Sequence, residues 1–318
     1  MDSVVQRIER MFPQQILESD VTKDGNWKVA ICPHDDYCYA SWLYPAVLQK
    51  LKAKTVIIFG VAHKASLLKL EDQLLFDSHT AWKAPYGDVR ISSMRDEVIN
   101  KLPASFYQVN DSIHRLEHSV EALIPFLQYY NRDVEFIPIL VPYMNIRRMD
   151  ELSNSLASAI NDVMVKHKLE WGSDLALLIS TDAVHYGDEE WGGKNNARFG
   201  TDSIGNAQAV NLEHEIIRNC FDGQLSDERV SRFFSYTVLP ENYKEYQWTW
   251  CGRYSVPMGL KTALKLQEIT GQPSLAGYPV GYATSIDHQT IPVEDIGMGK
   301  TAIATERHWV GYAGVGYK

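Results

Sequence analysis

The chain reads as one α/β domain on a mainly parallel sheet flanked by helices. Three observations predict it. Short β-branched apolar runs alternate with helical patterns, as in sheets covered on both faces. No Pro-, Gly- or Ser-rich linker and no internal repeat divides the 318 residues, so 1–318 is read as a single domain with residues 1–26 as an N-terminal helical extension. Three polar, histidine-bearing motifs stand where buried strands end, the position at which open α/β sheets bind ligands.

Taken in order, MDSVVQRIERMFPQQ alternates apolar and charged residues at helical spacing without an uninterrupted apolar stretch, predicting a surface helix and not a signal peptide. Residues 28–32 (KVAIC) form a buried strand with Pro33 as its breaker. Residues 44–51 have helical spacing and lead into a second strand over 55–60 (TVIIFG). Val120, Leu123, Ile124 and Leu127 give residues 117–130 the stripe of an amphipathic helix. A strand over 136–141 follows, in which Pro138 suits an edge or bulge better than a regular ladder. Residues 152–165 predict a helix and 174–180 a strand; helices over 204–221, 226–234 and 255–266 follow, the last with Ser255 as N-cap. Strands over 276–283 and 309–313, rich in aromatics, read as antiparallel additions.

Composition narrows the function. Hydrophobic residues make up 45% and charged residues 22%, the balance of a globular protein. A net charge of −9 with no long Lys/Arg run argues against a nucleic-acid surface. No apolar stretch has the length to span a bilayer. Cys32, Cys38, Cys220 and Cys251 form no C-x-x-C pair and are too few for a disulfide framework, which points to a reducing cytoplasm.

Four motifs carry chemistry. His34 follows a strand and a proline and precedes Asp35 and Asp36; it is either a metal ligand or an ordinary turn histidine. His63 stands three residues past Gly60, which permits a sharp backbone turn. Asp182 and His185 share a face if the turn after the LALLIS run is helical, as an acid/base pair or as a helix cap with an incidental imidazole. Cys251, near a predicted helix start and Arg253, is a thiolate of lowered pKa or a small core residue. His114-Arg115-Leu116-Glu117-His118 also matches the inverted zinc-protease pattern, a five-residue coincidence unless both imidazoles share a helix face.

Taken together and in order, these residues resemble the MEMO family, whose bacterial and archaeal members are called AmmeMemoRadiSam system protein B. The resemblance rests on Pro33-His34 with Tyr37 and Tyr39, Gly60 before His63, Glu117-His118-Ser119-Val120-Glu121 with Pro125, Ser180/Asp182/His185/Tyr186/Gly187, and Cys251-Gly252-Arg253. It runs from about residue 30 onward. Asp35 and Asp36 replace the family's usual small residues, and its N-terminal Gly-x-aromatic segment is not found before residue 30.

The resemblance implies a fold like the LigB-type extradiol dioxygenases, which hold Fe(II) with two histidines and a carboxylate. Here it implies a metal site of His34, His63 and Cys251, with Asp182, His185 and His118 as catalytic neighbours. A thiolate shifts preference toward softer metals, so copper competes with iron(II) and zinc stays open. The implied activity is an iron- or copper-dependent oxidoreductase acting on a small molecule, with a functional link to a radical-SAM protein and no nucleic-acid or membrane partner. Two other chemistries remain: a hydrolase using Cys251 as nucleophile, His185 as base and Asp182 as orienter, and a metal-binding interaction protein without turnover.

Overall fold

The computed structural model describes residues 1–22 and 25–318. Helices α1 (Asp2–Met11) and α2 (Pro13–Glu18) precede β1 (Val29–Cys32), followed by α3 (Tyr37–Ala40), α4 (Leu43–Leu48) and β2 (Thr55–Val61). Next come β3 (Leu74–Phe76), a ribbon of β4 (Ala81–Trp82) and β5 (Val89–Arg90), α5 (Met94–Ile99), β6 (Tyr107–Val109), α6 (Asp111–Leu116) and α7 (Ile124–Tyr130). Then β7 (Glu135–Val141), α8 (Ile146–His167) and β8 (Leu175–Ser180) lead to β9 (His185–Gly187), α9 (Ser203–Cys220), β10 (Gly223–Gln224) and α10 (Asp227–Thr237). A hairpin of β11 (Val238–Leu239) and β12 (Asn242–Tyr246) precedes α11 (Ser255–Thr270), β13 (Ala276–Thr284) and β14 (His308–Tyr317).

The main sheet runs β10-β13-β14-β1-β8-β2-β7-β3-β6, with β9 on β14. Its centre, β1-β8-β2-β7, is parallel. The aromatic strands β13 and β14 pair antiparallel with each other, and β14 with β1, as their sequence suggested. Every residue of β1, β2 and β8 is buried, because helices cover both faces. The period of two sorts them: Ile57, Phe59, Leu177 and Ile179 pack with α8 and α11, while Val56, Ile58, Ala176 and Leu178 pack with α1, α4 and α7. Gly259 allows α11 to lie close on β8, since a Cβ there would stand 2.5 Å from Ile179.

Four local expectations are corrected. Residues 117–130 are not one helix: Glu117 is extended, a 3₁₀ turn spans Glu121–Leu123, and α7 starts with Pro125 in its first turn. Proline's missing N–H and ring allow it there and not deeper in a helix. Ser255 caps nothing; Tyr254 is the N-cap position, and the Ser255 hydroxyl donates to the Ser180 carbonyl at 3.1 Å. Pro13 divides the N-terminal helix in two; the first part is a surface helix as read, with its apolar stripe Val4, Val5 and Ile8 buried and Asp2, Ser3, Gln6 and Glu9 exposed. Gly60 makes no turn: it lies inside β2, where a Cβ would meet Val120 at 2.6 Å and Ser119 at 2.8 Å. Pro138 falls between two pairings on its side of β7, the Ile91–Phe136 bridge and Leu75–Leu140, so its missing donor breaks no ladder there.

Candidate metal centre

β1, β8 and β2 are parallel neighbours, with Cys32 opposite Ser180 and Phe59 opposite Ile179, so their carboxyl ends open on one edge. His34, Asp182 and His63 follow those ends directly. Cys251 arrives from the turn before α11. Gly252 makes that approach possible, because a Cβ would stand 2.2 Å from Thr181 Oγ1, which instead accepts the Gly252 amide at 3.0 Å. One ligand atom from each of His34, His63 and Cys251 lies within 4.8 Å of the others.

Hydrogen bonding fixes both imidazoles. His34 is buried, with Nδ1 2.8 Å from Ser180 Oγ. That hydroxyl donates its only proton to the Ser119 carbonyl, so it accepts from His34 Nδ1–H and leaves Nε2 with a free lone pair. His63 Nδ1 lies 2.9 Å from Glu117 Oε2, and the other carboxylate oxygen accepts the Lys64 amide. An ionised carboxylate only accepts, so His63 also carries its proton on Nδ1 and keeps Nε2 free. Orientation of a ligating imidazole by such a partner is the usual pattern around metals.

Cys251 Sγ lies 3.5 Å from His34 Nε2 and accepts the Asp182 amide at 3.1 Å. Burial, then the nearby Asp182 carboxyl, pushes its thiol well up, the reverse of the lowering expected from Arg253. Arg253 is engaged elsewhere, stacked on Tyr246 at 3.5 Å and donating to the Lys244 carbonyl. Burial also raises Asp182, helped by Asp35, and pushes Asp35 up to about 6. The same burial lowers His34 and His118, and takes His185 down to about 3. The cluster is thus rich in donors and poor in positive charge.

The neighbouring residues sort clearly. The His118 ring stacks on His63 at 4.9 Å and meets His34 edge-on at 5.3 Å. Asp182 accepts the His34 amide at 2.9 Å and holds Oδ2 3.4 Å from His34 Nε2. Asp182, His185 and Cys251 also bring ligand atoms within 4.8 Å of one another. The turn joining Asp182 to His185 is not helical, so the condition for a shared helix face is not met; His185 opens β9, paired to Val310 of β14. Its Nε2 is enclosed without a hydrogen-bond partner, and its ring meets Trp191 at 5.1 Å. His114 does not join the site. It lies on α6, bonded through Nε2 to the Leu75 carbonyl, while His118 lies beyond that helix, so the zinc-protease pattern has no shared face.

A cavity of about 930 Å³ opens over the cluster, lined by His34, His63, His118, Asp182 and His185. Trp191, His308 and Tyr312 also line it, and a rim segment contributes Met298, Thr301, Ala302 and Ala304. Asp35 accepts the Tyr312 hydroxyl, and Asp36 accepts the Thr301 amide and hydroxyl, tying the rim to the end of β1. Cys251, 5% exposed, sits behind His34 and Asp182 and outside this lining. Sequence reasoning missed the work of Ser180, Glu117 and Glu213. Glu213 carried a signal: it falls on the apolar stripe Ala209, Ile216, Ile217 and Cys220 of α9.

The model of the Memo-like protein family matches residues 2–300. The chain belongs to this family. The match takes in α1 and α2, ahead of the first histidine motif. Among relatives of this Memo-like chain, a MEMO1 family protein of Pyrobaculum aerophilum is 30% identical over 162 residues, 49% of this chain and 52% of that protein. Another from Methanosarcina barkeri is 27% identical over 175 residues, 54% and 60% of the two chains. The chain therefore spans about half the length of these curated relatives. A third, from Thermococcus kodakarensis, is 24% identical over 297 residues, 89% of each. Among the described residues no helix is long and apolar enough to cross a membrane.

Proposed function

We propose that this Memo-like protein binds one redox-active metal ion, iron(II) or copper, and serves as an oxidoreductase toward a small molecule held in the cavity. The observation that carries the reading is the pair of imidazoles whose tautomers are set by Ser180 and Glu117, leaving Nε2 of each unprotonated, with that of His34 3.5 Å from the Cys251 thiol. His34, His63 and Cys251 would hold the ion; when bound, it supplies a redox centre with positions left for small ligands. Cys251 gives up its proton on ligation, and His185, whose Nε2 has no hydrogen-bond partner, stands near enough to take it. His118 and His185, on the cavity wall, suit positioning and proton transfer and not obligatory ligation. A cavity of 930 Å³ matches a small-molecule substrate. A cytoplasmic setting and a link to a radical-SAM partner accompany this reading.

The cysteine-hydrolase alternative has less support. The thiol is buried, raised in pKa, outside the cavity lining, and closest among the imidazoles to His34 in the hydrogen-bond geometry.

The test is metal analysis of anaerobically purified protein reconstituted with Fe(II) or Cu, alongside His34→Ala, His63→Ala and Cys251→Ser. One ion per chain, lost in all three variants, is expected, with His185→Ala and His118→Ala keeping it. Complete loss in His185→Ala would reassign that residue to the ligand set. Dioxygen uptake by the loaded protein on a small-molecule panel, absent in those two variants, separates an enzyme from a metal-binding protein without turnover.

A further inference from the structure

Two chain segments deliver the cluster's second half: residues 182–185, which carry Asp182 and His185, and residues 248–252, which carry Cys251. They are zipped together by an isolated Val184–Trp250 bridge, by the His185 amide to the Thr249 carbonyl at 3.2 Å, and by the Thr249 hydroxyl to the His185 carbonyl at 2.8 Å. Beneath the zip lies Glu213 of α9, fully buried. Its Oε1 accepts the indole N–H of Trp248 at 2.6 Å and that of Trp250 at 2.8 Å. Its Oε2 accepts the Val184 amide at 3.1 Å. One carboxyl group therefore grips both segments, one residue short of His185 on one side and one short of Cys251 on the other.

The arrangement is not what stability alone would select. A buried carboxylate with three N–H donors and no cation bonded to it is a poor stabiliser compared with an apolar side chain of the same size. Burial pushes its carboxyl up to about 7 even against those donors. Room is kept for it as well, since a Cβ on Gly311 would stand 3.2 Å from Glu213 Oε2. What three directional bonds supply, and a leucine would not, is a fixed distance between Val184 and Trp250.

We propose that Glu213 is a positioning residue of the metal centre: from outside the ligand set, it holds the Asp182–His185 turn and Cys251 in register with His34. This rests on the metal-binding reading above, and its test keeps the two apart. Glu213→Gln preserves volume but turns one acceptor into a donor, so either an indole N–H or the Val184 amide loses its partner. Trp250→Phe removes one donor and serves if Glu213→Gln fails to fold.

Cobalt(II) is the probe, because its thiolate charge-transfer band reports the Cys251–metal bond directly. Glu213→Gln should bind cobalt 10- to 100-fold more weakly, roughly the loss typical of removing outer partners of a metal site, with a shifted band. Leu156→Ala, a buried α8 truncation used as a stability control, should keep the parent's affinity and band. Parental affinity and band in Glu213→Gln, or equal loss in Leu156→Ala, overturns the proposal. A crystal structure of metal-free Glu213→Gln gives the independent reading. Cys251 Sγ should leave its place 3.1 Å from the Asp182 amide and 3.5 Å from His34 Nε2. An unmoved Cys251 overturns positioning whatever the metal data say. A displaced Cys251 with a parent that takes no metal keeps positioning and removes the metal reading instead.

Discussion

Ser180 holds His34 by a one-way hydrogen bond: its hydroxyl gives its proton to the Ser119 carbonyl and receives one from His34 Nδ1 at 2.8 Å. The tautomer of a fully enclosed imidazole is thus decided by a serine on the neighbouring strand. Ser180→Ala should weaken metal binding roughly 10- to 100-fold without abolishing it, by chelator competition. Glu117→Gln should do the same through His63, because its amide can present a donor to Nδ1 and favour the wrong tautomer. Unchanged affinity in both would mean that the two imidazoles are not ligands.

As a ligand of the proposed site, Cys251 would set the pH dependence of loading. Its thiol is pushed up by burial, so it is protonated in the metal-free protein and must release that proton on ligation. Affinity should fall as pH falls, by close to tenfold per pH unit while one proton is exchanged, measured by competition titration between pH 6 and 8. Cys251→Asp should lose copper preference and keep some Fe(II) binding, since it restores a His/His/carboxylate set. Parental selectivity in that variant would exclude Cys251 as a ligand.

Gly252→Ala should damage the centre through packing alone. The new methyl would overlap Thr181 Oγ1 and Cβ, and relief requires the Cys251 turn to retreat from β8. A loss of about 1–3 kcal/mol in thermal or chemical unfolding is expected, with weaker metal binding. Thr181→Ala in the same chain, which removes the obstructing Oγ1, should recover part of the stability; no recovery would place the strain elsewhere.

Glu213 predicts a stability slope. Its carboxyl rises from 4.5 to about 7 on folding, so between those values the native state binds more protons than the unfolded chain. The contribution is fully present below pH 4.5 and is lost as pH rises through 7, by up to about 3 kcal/mol. Metal-free parent should therefore lose stability relative to Glu213→Gln as pH is raised from 5 to 8 in urea unfolding series. Parallel curves for the two proteins would show that the carboxyl titrates normally.

Much of this was legible in the sequence because the decisive residues follow strand ends. The apolar runs ending at Cys32 and Ser180 located His34 and Asp182, and the parallel pairing of β1, β8 and β2 brings those ends together. Cys251 was legible as a ligand only through the Cys251-Gly252-Arg253 element of the family resemblance; the close approach to Thr181 that Gly252 permits appears only in the structure. Glu117 was misread as helical because its apolar neighbours keep helical spacing. The chain stays extended there because residues 119 and 120 must pass against Gly60 before Pro125 can start α7. Both sequence alternatives for residues 182–185, an acid/base pair on one helix face and a helix cap, assumed a local helical turn where instead β9 pairs with β14, a strand more than a hundred residues away. Glu213 stood out only as an acid on the apolar stripe of α9; the partners of its carboxyl, Val184, Trp248 and Trp250, are long-range and no local pattern names them.

Cys251 and His34 touch across 217 residues of sequence. On a ribosome elongating at about 5–20 residues per second, the first imidazole waits roughly 10–40 s for its thiol. For much of that interval β1 also lacks β8, and β14, the strand on its other side, is made only after Cys251. In the proposed site, an ion captured early by His34 or His63 would meet an incomplete set and exchange more freely. Under the proposed ligand set, only the threading of the Cys251 turn behind Asp182 would complete it, so the ion retained would be one met after that turn is made and not one the nascent histidines first encounter.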